Sequence, residues 1–164
     1  MDAETTSDVA GLPEHVAENR RHWDAMAHQW VAMGERAWAA TEPVWGIWGV
    51  SNLDVPLLPD DLSGMRAIEL GCGTGYVSAW MHRRGASVYA IDNSLEQLTT
   101  ARRLAAEHGV TDIEWVHGDA ERVLKPFEPL DAVRGEHSPA AIAATRRGDG
   151  FDSLCLPVHI TATA

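Results

Sequence analysis

An α/β fold, three-layered and Rossmann-like around a parallel sheet, is predicted for this chain by three observations. Residues 66–116 alternate strand, helix, strand, helix, strand, and such alternation gives a parallel sheet with helices on its faces. The short apolar run Ala67-Ile68-Glu69-Leu70 breaks into glycines at alternate positions, Gly71, Gly73 and Gly75, and Tyr76-Val77-Ser78-Ala79-Trp80-Met81 follows as a helix start. That unit sets backbone N–H groups and a helix N-terminus beside a ligand. A second strand, Ser87–Ile91, then ends in Asp92. An acid about 20 positions past a glycine loop is placed to accept hydrogen bonds from ribose hydroxyls. Right-handed crossovers put the strand C-termini along one edge. Ligands bind at that edge, where Gly71 to Gly75, Asp92 and Asp119 all fall.

Taken in order, the chain begins with an acidic, polar stretch, Met1–Asp8, opposite in character to a signal peptide. Residues 1–12 are expected to be disordered. Pro13 suits a first helical position. After it, Val16, Trp23, Met26, Trp30, Met33 and Ala37 recur at helical steps and predict one apolar stripe. Glu14, Glu18, Arg21, Asp24, His28 and Glu35 form the opposite face. Between residues 41 and 63, Pro43, Gly46, Gly49, Pro56 and Pro59 forbid a long helix. Three of the seven tryptophans fall between 38 and 48. Trp45 and Trp48 either line a substrate pocket or anchor the connector. Residues 13–63 therefore read as an N-terminal helix with a tryptophan-rich connector or cap.

Residues 64–133 read as the α/β core. Arg83-Arg84-Gly85 is a helix stop, with cations in the last turn and then glycine. Ser94-Leu95-Glu96-Gln97 is a capping box, in which Ser94 reaches the Gln97 N–H and Gln97 reaches back. Leu95, Leu98, Ala101, Leu104 and Ala105 form the buried stripe of that helix, and Gly109 ends it. A third strand, Ile113–Val116, leads through His117 into Gly118-Asp119-Ala120.

The glycine spacing separates two families. The dinucleotide fingerprint is Gly-x-Gly-x-x-Gly. Here the third glycine comes one residue early, and Tyr76 stands where that fingerprint wants glycine. Glu69-x-Gly71-x-Gly73-x-Gly75 resembles the first motif of the class I S-adenosylmethionine-dependent methyltransferases. Arg21-His22-Trp23-Asp24-Ala25-Met26-Ala27 resembles the His-Trp-Asp helix that packs over the cofactor in small-molecule members. The resemblance covers about residues 14–133, with its specific motifs in 67–120. It implies that S-adenosyl-L-methionine is held by Glu69, Gly71, Cys72, Gly73, Gly75, Asp92, Asn93, Asp119 and Ala120. Asp92 would meet the ribose. Asp119 would meet the adenine amino group, with the Ala120 N–H beside the ring. Trp30 is the helix residue expected nearest the ligand. The residues alone also allow Asp92 to be a helix-capping or turn aspartate, and Gly118-Asp119 to be an ordinary turn.

After Ala120 the pattern weakens. Leu130-Asp131-Ala132-Val133 resembles the lead into the family's fourth strand, and Glu136-His137 resembles the end of that strand. Arg134 interrupts the apolar run between them. Residues 134–164 are atypical, with no amphipathic period over Ser138–Gly150. One further strand is expected within Phe151–Ile160, weakened by Pro157. A complete domain of the family has seven strands, whereas four or five are legible here. The fold is therefore expected to be incomplete at its C-terminal strands, as in a truncated or frame-shifted product. Intact-mass measurement of the natively produced protein tests that expectation. An incomplete sheet leaves an open edge for pairing with another chain, so homodimerisation through it, or low stability, is expected.

With 164 residues the chain has room for one domain of ordinary size. Its apolar fraction of 45% and charged fraction of 23% are those of a soluble globular protein. A formal net charge of −11 disfavours nucleic acid and membrane surfaces as partners. Cys72 and Cys155 form neither a metal-ligand spacing nor a disulfide framework, which fits a cytoplasmic location. The histidines show no metal-binding spacing. Methyl transfer to a small-molecule acceptor is the expected activity, with the tryptophan-rich connector hinting at an apolar or aromatic one. No residue is required as a covalent nucleophile, and no catalytic residue is assigned. His117 and His137 lie near strand ends but read as structural. The alternatives are an inactive S-adenosylmethionine-binding fragment and an NAD-dependent oxidoreductase, the latter opposed by the glycine spacing and by Gly-Asp-Ala.

Overall fold

The computed structural model describes residues 11–46, 48–120 and 158–161, the last as backbone. Helix α1 (Glu14–Met26) is followed by a 3-10 turn (Ala27–Gln29) and helix α2 (Val31–Trp38). Strands β1 (Val44–Trp45) and β2 (Val50–Ser51) form a small antiparallel hairpin. Then come β3 (Arg66–Leu70), α3 (Tyr76–Arg83), β4 (Ser87–Asp92), α4 (Leu95–Glu107), β5 (Ile113–His117) and β6 (Val158–Thr161). The main sheet has the order β5-β4-β3-β6.

Strands β3, β4 and β5 are parallel and in register, with Ala67 opposite Val88 and Val88 opposite Ile113. Ala67, Ile68, Val88, Ala90 and Ile91 are all buried, as expected of strands covered on both faces. The predicted alternation over residues 66–116 is therefore present. Both of its helices end as the sequence indicates. Ala86 N–H donates to Met81 O and Gly85 N–H to His82 O, while Val110 N–H donates to Ala105 O and Gly109 N–H to Ala106 O. These are paired Schellman bonds that satisfy the last carbonyls of each helix.

The fourth strand departs from an all-parallel sheet. β6 runs antiparallel to β3, with Arg66 opposite Thr161 and Glu69 opposite Val158. It begins at the residue after Pro157, within the segment expected to hold one more strand, and a proline has no N–H to give to a ladder. The edge of β3 away from β4 is thus occupied, and β5 and β6 are the outer strands among the described residues. Residues 1–10, the segment 130–137 and Cys155 lie outside the described residues, as does all of 134–164 except β6.

The N-terminal helix also differs from expectation. It is broken at Ala27–Gln29, and nothing in the local sequence marks that break. Its buried positions are Val16, Arg20, Ala27, Gly34 and Trp38, whereas Trp23 and Met33 are exposed. The stripe is rotated because the helix is fitted to the β4–α4 turn and the glycine loop. An added Cβ at Gly34 would lie 2.9 Å from the Thr74 side chain, so α2 can lie this close only with glycine there. Asp24, assigned to the solvent face, instead bonds α4. On α4 itself Leu95 is exposed, sharing a face with Thr99 and Arg102, and Gln97 is buried in its place. Only half of the predicted capping box forms. Ser94 Oγ accepts from Gln97 N–H at 3.2 Å, but the Ser94 N–H donates to Asp92 Oδ1 at 2.7 Å rather than to Gln97. An aspartate two residues upstream is the nearer acceptor for that N–H.

The tryptophans separate by role. Trp38 is fully buried among Leu58, Leu62, Val77 and Met81. Its indole N–H donates to Thr74 O at 2.8 Å. Trp45 packs against that core and donates to Val55 O at 3.2 Å. Trp48 is 83% exposed and makes no hydrogen bond among the described residues. Trp38→Ala is expected to cost about 3–5 kcal/mol, and Trp48→Ala less than about 0.5 kcal/mol, as read from urea denaturation midpoints.

Candidate functional site

Three strand ends build the site. The glycine loop leaves β3 and is fixed from below by β4, since the N–H groups of Gly71 and Cys72 both donate to Ile91 O, at 2.8 and 3.0 Å. Gly71, Gly73 and Gly75 all have positive φ, a region that costs other L-residues about 1 kcal/mol or more. Their surroundings differ. A Cβ added at Gly71 or Gly73 would meet nothing within 4 Å among the described residues. At Gly75 it would lie 2.5 Å from Trp115 of β5. Gly75 is therefore a packing position between helix and sheet, whereas the backbone at Gly71 and Gly73 is left uncovered among the described residues. Trp115 carries no sequence signal for this role, because only the register of β5 brings it over the loop.

Asp92 closes the end of β4. Its Oδ2 accepts from Gly73 N–H at 2.7 Å and its Oδ1 from Ser94 N–H at 2.7 Å. It is 9% exposed. Burial raises its pKa, against the lowering effect of those two N–H donors. The ends of β4 and β5 are joined by Gly118 N–H donating to Asp92 O at 3.0 Å. Half-buried Asp119 and Ala120 follow directly, so the structure brings Gly71, Gly73, Asp92, Asp119 and Ala120 to one sheet edge.

Glu69 lies beneath the loop and is fully buried. Its Oε2 accepts from Ser78 N–H at 2.7 Å and from the Ser78 hydroxyl. A strand carboxyl thereby caps the first turn of α3, where orphan N–H groups need acceptors. Glu69 Oε1 is buried with no hydrogen-bond partner among the described residues. Burial pushes the Glu69 carboxyl up to about 8, with the Ser78 bonds opposing the rise. Neighbouring Cys72 is buried, and burial, then Glu69 and Asp92, hold its thiol well above the ordinary value. Such a thiol is unreactive.

The side chain of Asn93 is held by α1. Its Oδ1 accepts from Arg20 Nε at 2.9 Å and its Nδ2 donates to Val16 O at 3.0 Å, so both ends of the amide grip α1. His117 Nε2 lies 3.2 Å from the Asn93 carbonyl. Burial, followed by Arg20, lowers the His117 pKa, which favours the neutral ring. Trp30 is half-buried, and its indole N–H is enclosed without a partner among the described residues. Tyr76, the residue in place of a third fingerprint glycine, accepts through Oη from Val44 N–H at 2.7 Å and fastens the hairpin to the start of α3. Among the described residues no group of three histidine, cysteine or acidic side chains is arranged to hold a metal.

The raised Glu69 pKa fixes a pH dependence. The folded chain keeps a proton on Glu69 that the unfolded chain releases above about pH 4.5, so this group's stabilisation is complete below that pH and is lost as pH rises toward 8. The unfolding free energy of Glu69→Gln is expected to decline less than that of the parent between about pH 5 and 8. Denaturant titrations at several pH values measure this, and an unchanged slope would refute it.

A family model described as a methyltransferase domain matches residues 67–147. The chain is 46% identical over 92 residues to the ubiquinone biosynthesis O-methyltransferase of Neisseria meningitidis serogroup C, covering 52% of this chain and 39% of that protein. It is 32% identical over 113 residues to the ribosomal RNA small subunit methyltransferase C of Chromohalobacter salexigens, covering 58% of this chain and 33% of that protein. It thus spans between 33% and 39% of the length of these relatives. A solved S-adenosylmethionine-dependent methyltransferase from Geobacter sulfurreducens, in complex with S-adenosyl-L-homocysteine, is similar at 33% identity and a TM-score of 0.33, covering 35% of this chain and 24% of that one. The order of the three sequence motifs, their convergence on one sheet edge and the family match over residues 67–147 support a class I S-adenosylmethionine-dependent methyltransferase.

Proposed function

We propose that this chain binds S-adenosyl-L-methionine at the edge formed by β3, β4 and β5 and serves methyl transfer to a small-molecule acceptor. One observation carries the reading: among the described residues, open space over Gly71 and Gly73 lies beside two buried carboxyl groups, one of which has an unpartnered oxygen and gives up its proton when a cation sits beside it. A cationic ligand with hydroxyl groups fits that combination. Glu69 Oε1 is an acceptor suited to the ammonium of the methionine part. Asp92 keeps acceptor capacity beyond its two backbone bonds and suits the ribose hydroxyls. Asp119 and the Ala120 N–H suit the adenine.

The cofactor supplies a methyl group activated by its sulfonium. What remains for the protein is alignment of the acceptor atom with that methyl and exclusion of water. The glycine loop and Asp92 fix one partner of the reaction. Trp30, with its enclosed indole N–H, lies where the 3-10 turn meets α2, outside α1, and suits a ligand-facing position there. No residue is assigned as a base.

The acceptor is a small molecule in this reading, as the ubiquinone-biosynthesis relative suggests. The ribosomal RNA relative raises the other acceptor class, but a net charge of −11 works against a polyphosphate surface. No helix among the described residues is long and apolar enough to cross a membrane.

Isothermal titration with S-adenosyl-L-homocysteine tests the reading. Saturable binding is expected, and Asp92→Ala should weaken it about 10- to 100-fold, the size of a hydrogen bond to a charged group. NAD(H) is expected to give no protection against thermal unfolding. A folded parent chain that does not bind S-adenosyl-L-homocysteine would refute the assignment.

A further inference from the structure

Helix α1 reaches the proposed ribose acid without touching it. Asp24 Oδ1 accepts from the Ser94 hydroxyl at 2.6 Å and lies 3.4 Å from the Glu96 N–H. Ser94 is fully buried, and its N–H donates to Asp92 Oδ1 at 2.7 Å. The other oxygen of Asp92 takes the Gly73 N–H at 2.7 Å. Asp24, Ser94, Asp92 and Gly73 therefore form one unbroken hydrogen-bond line from the covering helix to the glycine loop. A second tie runs beside it, from Arg20 and Val16 to the amide of Asn93.

Ser94 has two tasks that only an oriented hydroxyl performs together. It must accept the Gln97 N–H, at 3.2 Å, to cap α4. Its own proton must then point elsewhere, and Asp24 is the acceptor that takes it. A carboxylate is the stronger acceptor for such a bond. With Asp24 in place the hydroxyl is locked as cap, the turn Asp92-Asn93-Ser94 keeps one conformation, and the Asp92 carboxylate keeps one aim.

The geometry points to Asp24 as a positioning residue that sets the orientation of Asp92 through Ser94, so that the N-terminal helix tunes cofactor affinity without contributing a ligand contact. This rests on the cofactor reading above. It predicts that an α1 substitution weakens cofactor binding with little loss of fold.

Two measurements on the full chain test it. Amide hydrogen exchange of the free protein reads the line directly: Asp24→Ala should speed exchange at Ser94 and Gly73 at least about tenfold while leaving the β3 and β4 amides unchanged. Titration with S-adenosyl-L-homocysteine should show Asp24→Ala binding about tenfold more weakly. Asp24→Asn, whose amide oxygen still accepts from Ser94, should restore most of the affinity. Asp24→Ala added to Asp92→Ala should cause no further loss, because the two act in series. Unchanged exchange at Ser94 and Gly73, or losses that simply add, would overturn the inference. If the parent chain bound no S-adenosyl-L-homocysteine, the cofactor reading would fall, and the exchange result alone would decide whether Asp24 orders Asp92.

Discussion

The carboxylate of Asp92 is the junction on which this site depends. One side-chain oxygen holds the glycine loop, the other holds the start of α4, and its backbone carbonyl holds the turn after β5. Three segments far apart in sequence are thus fixed by a single residue at the end of a central strand. Such a group is costly to bury unless it is hydrogen-bonded, and here the partners are N–H groups of the glycine loop and of the β4–α4 turn. The burial that raises its proton affinity and the donors that lower it come from the same architecture.

Glu69 solves a complementary problem one strand away. The turn that exposes Gly71 and Gly73 leaves the first N–H groups of α3 without intrahelical acceptors. A carboxyl from the preceding strand supplies one from inside the core, leaving the outer side of the turn clear. The helix start is thereby satisfied from below, and no described residue covers Gly71 or Gly73 from above.

Much of this was legible in the sequence because it depends on local rules. The strand–glycine–helix unit, both glycine helix stops and the acid ending β4 follow from residue types at fixed offsets, and all lie within residues 66–116. What escaped is what tertiary packing decides. Trp38 and Trp48 look alike in sequence, yet one is the centre of the core and the other points to solvent, because only Trp38 finds the Thr74 carbonyl. Asp24 reads as a solvent-facing residue of an amphipathic helix until the β4–α4 turn is set against it. The half-formed capping box has the same origin, since Asp92 takes the N–H that Gln97 was expected to bond. The bonds of the Asn93 amide to Arg20 and Val16 of α1 have the same tertiary origin. The β6 strand was expected as an element, while its antiparallel direction follows from pairing with β3, which sequence alone does not encode.

The ties between α1 and the β4–α4 turn also set an order of events in folding. Arg20 to Asn93, Asp24 to Ser94, and Val16 to Asn93 are separated by 73, 70 and 77 residues. The β3–α3–β4 and β4–α4–β5 units close over much shorter stretches and can assemble first, because long loops are slow and entropically costly to close. Docking of the N-terminal helix is then a late step. A chain caught before it would carry its parallel sheet and both sheet helices, and would look native by secondary structure, yet the β4–α4 turn would lack its ties to α1. Competence at this site is therefore reached separately from, and after, the formation of the fold that carries it.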